Sequence, residues 1–174
     1  MDMRKISERV RKSGLETLRL SFRGCEAFTD DVAELLVDSL STSLEEIQLE
    51  MAESRATGGR QVLDALEHKV DLHKLTEVML GECLLTGPVP SWFGECLSLE
   101  KLVLQRNALT GHIPPELGRC VQLKHLALSN NQLTGPVPEA LLANCRQLRK
   151  LSLNNNKLTG PLPAAIGWYT LDGS

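Results

Sequence analysis

Aromatic residues are scarce in this sequence, at 3% of its 174 residues, although 42% of the residues are hydrophobic. Leucine and the branched aliphatic residues must therefore build the core. No apolar run approaches the length that spans a membrane, and no Asn-x-Ser/Thr glycosylation acceptor occurs. The first ten residues contain basic side chains without the apolar run that a signal peptide needs. Together with an odd number of cysteines, five, these absences predict a cytoplasmic or otherwise intracellular location.

Charge of one sign does not dominate either, since 19 basic and 22 acidic residues give a net charge of −3. This balance argues against nucleic acid or an anionic membrane as a partner. The metalloprotease, nucleophile-elbow and phosphate-loop motifs are all missing from the sequence. We therefore expect no catalytic residues, no metal site and no cofactor, and we predict that the chain is not an enzyme. Its length suits a single domain over residues 1–174.

A repeat is the strongest signal that is present. The pattern Leu-x-x-Leu-x-Leu-x-x-Asn-x-Leu begins at Leu99, Leu123 and Leu148, so the period is 24 and then 25 residues. A fourth copy begins at Leu75, with Cys83 at the asparagine position. The alternating leucines predict a strand that points them into a core, and repetition predicts one parallel sheet of stacked strands.

Two further features recur in each copy. The asparagines suit a turn after each strand, where their amides would bond to the backbone of neighbouring coils as a structural ladder. That ladder is predicted to consist of Cys83, Asn107, Asn131 and Asn156. A Gly-x-x-Pro segment then follows in each copy and predicts a chain reversal.

The continuation Leu-Thr-Gly-x-(Ile/Val/Leu)-Pro resembles the plant-type leucine-rich repeat of receptor-kinase ectodomains and polygalacturonase-inhibiting proteins, over about residues 75–167. The resemblance implies an α/β fold: a curved solenoid with a parallel sheet on its concave face, short helical turns on its convex face, and a binding role. Earlier units begin near Leu15 and Leu44, are 29 and 31 residues long, and carry helical patterns. They resemble the ribonuclease-inhibitor or cysteine-containing classes, which implies full helices on the convex face of residues 15–74. We expect residues 1–14 to cap the first coil, and a weak or absent cap after the last.

The concave face is the predicted binding surface. Its exposed charges run from acidic to basic along the chain, which would orient a complementary protein partner. The alternative is that these charges only keep the surface soluble. By the repeat frame, the exposed positions are Glu46, Gln48, Glu50, Glu77, Met79, Glu82, Lys101, Val103, Gln105, Arg106, His125, Ser129, Asn130, Lys150 and Asn154. We expect Glu46, Glu50, Glu77, Glu82, Lys101, Arg106, His125 and Lys150 to contact the partner.

Cys96, Cys120 and Cys145 each precede a leading leucine by three residues, so they should form one column. A column of thiols could form a disulfide or bind a soft metal, but buried core cysteines are the more common case. The sequence thus favours a non-catalytic protein-interaction module. A segment of a receptor-kinase-like ectodomain and a hydrolase inhibitor are alternatives, and an uncovered C-terminal end would permit self-association.

Overall fold

In the computed structural model, the described residues are 14, 16–21, 42–50, 59–161 and 170–171. Their main feature is a seven-stranded parallel sheet whose strand order follows the chain, so that each coil of the solenoid adds one strand. The strands are Thr17–Ser21, Glu46–Glu50, Glu77–Met79, Lys101–Val103, His125–Ala127, Lys150–Ser152 and Thr170–Leu171. The predicted sheet and fold class are confirmed.

Leucine alternation explains the register of this sheet. Leu102 pairs with Leu126, and Leu126 with Leu151, so the same repeat position stacks from coil to coil. All three side chains are buried, whereas the residues on either side of them are half-buried or exposed, except for Ala127, which is buried. Because a strand alternates its faces, a slip of one residue would expose a whole set of leucines.

In the described part of the chain, one helical segment connects each pair of successive strands from the second to the sixth strand of the main sheet, and its size follows the repeat length. The 31-residue unit that begins at Leu44 contains the helix Gly59–Lys69, as predicted from its apolar pattern. The 24-residue units contain the five-residue 3-10 helices Ser91–Glu95 and Pro115–Arg119. The 25-residue unit instead contains a single α-helical turn, Glu139–Asn144.

Glycine allows these short helices to pack closely. A Cβ atom added at Gly94 would lie 2.5 Å from the carbonyl oxygen of Glu116, and one at Gly118 would lie 2.7 Å from that of Ala140. Both distances are shorter than any real carbon–oxygen contact of this kind, so a side chain there would push neighbouring coils apart.

Short strands replace part of the predicted chain reversal. Thr86–Pro88 pairs in parallel with Ala108–Thr110, and Thr134–Gly135 pairs with Lys157–Leu158. The glycine of each Leu-Thr-Gly segment has a positive φ, between 74° and 84°. That conformation excludes most side chains, so the glycines turn the chain while the backbone beside them still pairs with the next coil.

The ends of the chain are described only in part. Thr170–Leu171 pairs with Lys150–Leu151, so Leu171 occupies the position that matches Leu151. In the repeat frame, position 172, which is Asp172, would instead have been the equivalent of Leu148, so the observed offset between these two strands is four residues shorter than a 24-residue unit. The predicted N-terminal cap, apart from Gly14, and the helix predicted in the unit that begins near Leu15 lie outside the described residues.

Candidate binding surface

The outward face of the main sheet presents one ionisable side chain from the first residue of five of its seven strands. Glu46 stands beside Glu77, Glu77 beside Lys101, Lys101 beside His125, and His125 beside Lys150 in the strand register. These side chains are half-buried, except for Lys150, which is exposed. The structure therefore brings five of the eight predicted contact residues into one continuous row.

Ion pairs link neighbouring coils across this face. Among the described residues, three pairs link charges on this face: Arg19–Glu46 (2.8 Å), Glu77–Lys101 (3.4 Å) and Glu82–Arg106 (3.1 Å). Each is partly solvated, so it contributes little to the free energy of unfolding. Where the acidic and basic halves meet, the charges that were predicted to face a partner are thus already paired within the chain, and a partner would compete for them.

An apolar strip lies between the charges. Met79 and Val103 are the last residues of their strands, pair with each other in register, and are half-buried, while Ala127 beside Val103 is buried. A partner side chain that covers this strip would remove apolar surface from water. The side chain of Glu50, another predicted contact residue, lies outside the described part.

Ser129 corrects the predicted list of exposed residues, because its relative exposure is only 6%. Its coil lies between those of Gln105 and Asn154, which occupy the equivalent positions on either side. The two flanking residues, rather than Ser129, form the surface there.

The side chain of Asn131 links its own coil to the preceding one. Its Oδ1 accepts a hydrogen bond from the backbone N–H of Leu109 at 3.1 Å. Its Nδ2 donates to the carbonyls of Leu104 at 2.9 Å, Leu128 at 3.0 Å and Ser129 at 3.3 Å. The residue is buried, at 8% relative exposure, so these backbone groups have little access to water.

Asn107 and Asn156 repeat this geometry one coil away on each side. The Oδ1 of Asn107 accepts from the N–H groups of Cys83 and Leu85, both at 3.0 Å. The Oδ1 of Asn156 accepts from the N–H of Leu133, also at 3.0 Å. Both side chains also donate to carbonyls of their own coil and of a preceding one.

Cys83 reproduces the donor half of the asparagine's hydrogen bonding, but not its acceptor half. Its Sγ donates to the carbonyls of Leu49 and Gly81, both at 3.3 Å, which is the bonding of an amide donor to a preceding coil and to the residue's own turn. The residue just before each ladder position has a positive φ, between 55° and 59°, which makes the turn tight. Those residues are Glu82, Arg106, Asn130 and Asn155.

The three column cysteines are fully buried and free. The Sγ of Cys120 donates to the carbonyl of Phe93 at 3.1 Å, and that of Cys145 donates to the carbonyl of Cys120 at 3.3 Å. Burial, with a smaller contribution from neighbouring groups, raises the pKa of Cys96 and Cys120 to about 12; burial raises that of Cys145 to about 11. These thiols are neutral near pH 7, which suits a structural role and opposes metal or nucleophile chemistry. Cys25 lies outside the described residues.

Comparison with known protein families agrees with this architecture. A family model described as "Leucine rich repeat" matches residues 73–133, and a second of the same description matches residues 147–168. The chain is a leucine-rich-repeat protein. No curated protein sequence matches it.

Solved structures of other leucine-rich-repeat proteins resemble it as well. The plant peptide hormone receptor RGFR1 in complex with RGF2 is 28% identical over 82% of this chain, with a TM-score of 0.63. The ectodomain of the receptor kinase GASSHO1/SCHENGEN3 from Arabidopsis thaliana, in complex with CASPARIAN STRIP INTEGRITY FACTOR 2, is 27% identical over 76%, with a TM-score of 0.60. The Arabidopsis receptor kinase HAESA, in complex with the peptide hormone IDA and the co-receptor SERK1, shares the fold at 21% identity over 92% of the chain, with a TM-score of 0.62.

This chain covers 21%, 18% and 25% of those three structures, respectively, so it spans about a fifth to a quarter of each. Among the described helices, none is both long enough and apolar enough to cross a membrane.

Proposed function

We propose that this leucine-rich-repeat protein is a non-catalytic binding module that holds a peptide or protein segment on its concave face. The observation that carries the proposal is the row of charged side chains beside the half-exposed Met79 and Val103. An apolar strip with charged borders offers a ligand both surface to bury and charges that set its orientation. Its contact residues remain those predicted from the sequence.

The matched structures support a protein ligand. RGFR1 was solved with RGF2, and GASSHO1/SCHENGEN3 was solved with CASPARIAN STRIP INTEGRITY FACTOR 2. Both are more than a quarter identical to this chain, so the likeness extends beyond the shared fold.

A second candidate is a segment of a larger receptor ectodomain. The observation that favours it is the length of the matched receptors, of which this chain covers about a fifth. That candidate implies an extracellular location, whereas the composition of the sequence favours an intracellular one. Localising the protein in the cells that produce it distinguishes the two, and binding on the concave face is common to both.

The test is an affinity pull-down from extracts of the source cells, read by mass spectrometry. A triple variant reverses three concave charges: Lys101→Glu, Arg106→Glu and Lys150→Glu. A matched control makes the same change of net charge away from this face, with Arg119→Glu, Arg146→Glu and Lys157→Glu. We expect the concave variant to lose a partner that the wild type and the control variant both retain.

A separate variant, Val103→Asp, tests the apolar strip without removing an ion pair. It should weaken the same interaction at least tenfold, measured by isothermal titration once the partner is identified. If all variants retain the same partners with the same affinity, the concave charges only solvate the surface and the proposal is wrong.

A further inference from the structure

One row of residues runs along the rim of the main sheet, just before the strands begin. We name it the rim row; from its second member onward, each backbone N–H donates to the carbonyl of the previous member at 2.7 to 2.8 Å. The bonds place successive side chains one coil apart, about 4.8 Å from each other. The rim row consists of Glu16, Glu45, Thr76, Glu100, Lys124 and Arg149.

Charge is segregated along this row. Three of its first four members are acidic, and its last two are basic. The segregation extends beyond the row: residues 117–161 contain six basic residues and a single acidic one, Glu139, whereas residues 1–116 contain 20 acidic and 13 basic residues. The solenoid therefore has an electrical polarity along its length.

When a second copy of the rim row is placed antiparallel to the first, residues of opposite charge face each other. The first member meets the last, so that Glu16 faces Arg149, and the second meets the fifth, so that Glu45 faces Lys124. The two central members, Thr76 and Glu100, face each other without a like-charge contact.

The adjoining row, made of the first residue of each strand, behaves in the same way. On reversal, Glu77 faces Lys101 and Glu46 faces His125, while Lys150 faces the neutral Thr17. Self-complementarity under reversal is the property that an interface with twofold symmetry requires. We propose that two copies of this chain associate side by side and antiparallel through their rims, with the twofold axis between the third and fourth strands.

The side chains that this dimer needs are accessible. Glu16, Glu45 and Arg149 are exposed, and neither glutamate has an ion-pair partner among the described residues. Lys124 is half-buried and forms an ion pair with Glu100 of the same row at 2.6 Å, so Glu45 of the second copy would have to share this lysine. Leu97 and Val121, at 49% and 47% relative exposure, precede the fourth and fifth strands by four residues each and add apolar surface beside the rim. A single glutamine pair across coils, from Gln147 to Gln122 at 2.6 Å, lies between them and the rim row.

The interface is small and built largely of solvated charges. Six coils span only about 24 Å of rim at the spacing of adjacent strands. We therefore expect a weak dimer that forms at low ionic strength and dissociates as salt screens the charges. This association is distinct from the end-on contact of an uncovered last coil, which would not depend on rim charges.

Sedimentation equilibrium of the purified chain, at about 50 mM and about 500 mM salt, tests the proposal, since screening lengths differ severalfold between these conditions. One variant reverses the acidic end of the rim row, Glu16→Lys with Glu45→Lys. The other reverses the basic end, Lys124→Glu with Arg149→Glu. Each variant alone has like charges at both ends and should dimerise at least tenfold more weakly than wild type at low salt.

An equimolar mixture of the two variants should restore dimerisation, because every reversed pair is then again opposite in charge. Circular dichroism confirms that each variant is folded. Matched controls with the same charge changes on the convex side and the short strands, Glu67→Lys with Glu139→Lys and Arg119→Glu with Lys157→Glu, should dimerise as wild type does. A wild type that stays monomeric at low salt, variants that still self-associate, or folded variants that do not pair with each other would each overturn the proposal.

Discussion

Replacing Asn131 by leucine should be among the most damaging single changes to the ladder. The substitution leaves the N–H of Leu109 without its acceptor and removes two short bonds, to the carbonyls of Leu104 and Leu128. An unsatisfied buried donor costs about 1–3 kcal/mol, and each lost bond about 1 kcal/mol more. We expect the free energy of unfolding to fall by about 3–5 kcal/mol, measured by urea denaturation followed by circular dichroism.

Two companion variants make this measurement decisive. Gln132→Leu introduces the same side chain at the adjacent exposed position and should change stability by less than about 0.5 kcal/mol. Asn131→Cys should cost less than Asn131→Leu, because the thiol of Cys83 shows that a cysteine can donate to carbonyls from this position. If Asn131→Leu is no worse than Gln132→Leu, the hydrogen-bond reasoning is refuted.

Two more predictions concern the convex side and the thiols. Gly118→Ala should lower the free energy of unfolding by about 1–3 kcal/mol, because its new methyl would overlap the backbone of Ala140. Gly81→Ala makes only ordinary contacts and should have a smaller effect. Equal effects of the two substitutions in urea denaturation would contradict this reasoning. In a variant with Cys25→Ser and Cys83→Ser, which keeps only the three column cysteines, a thiol reagent at pH 8 should label them only at the rate of unfolding. Burial raises the pKa of all three thiols and blocks access to them. Rapid labelling of the folded protein would show that the column is open.

The repeat frame predicted the strands well because one residue pattern determines both the inward face and the stacking register. Leu102, Leu126 and Leu151 stand at equivalent positions in the sequence and pair in the sheet. The Leu-Thr-Gly segments were harder to interpret. Glycine and proline indicate a turn, but the backbone beside Gly87 also pairs with the next coil, which composition alone does not reveal.

The binding surface was predicted in outline only. The repeat frame indicates which side chains point outward, but the outward direction alone does not predict the ion pairs Glu77–Lys101 and Glu82–Arg106. A period of 24 residues separates the partners in both pairs, so the same frame could have found them. Ser129 is buried although the repeat frame places it at an outward position, and a pattern of polar and apolar positions does not record such burial.

The convex helices differ in length while the strands that they connect keep one register. A unit of 24 residues closes with a 3-10 helix, the unit of 25 with an α-helical turn at Glu139–Asn144, and the unit of 31 with the helix Gly59–Lys69. Differences in unit length are thus accommodated in the helical segments, and the register of the sheet does not change. Mutation could lengthen or shorten a coil during evolution without moving a single contact residue on the opposite face, so the shape of the scaffold and the specificity of its surface are free to diverge independently.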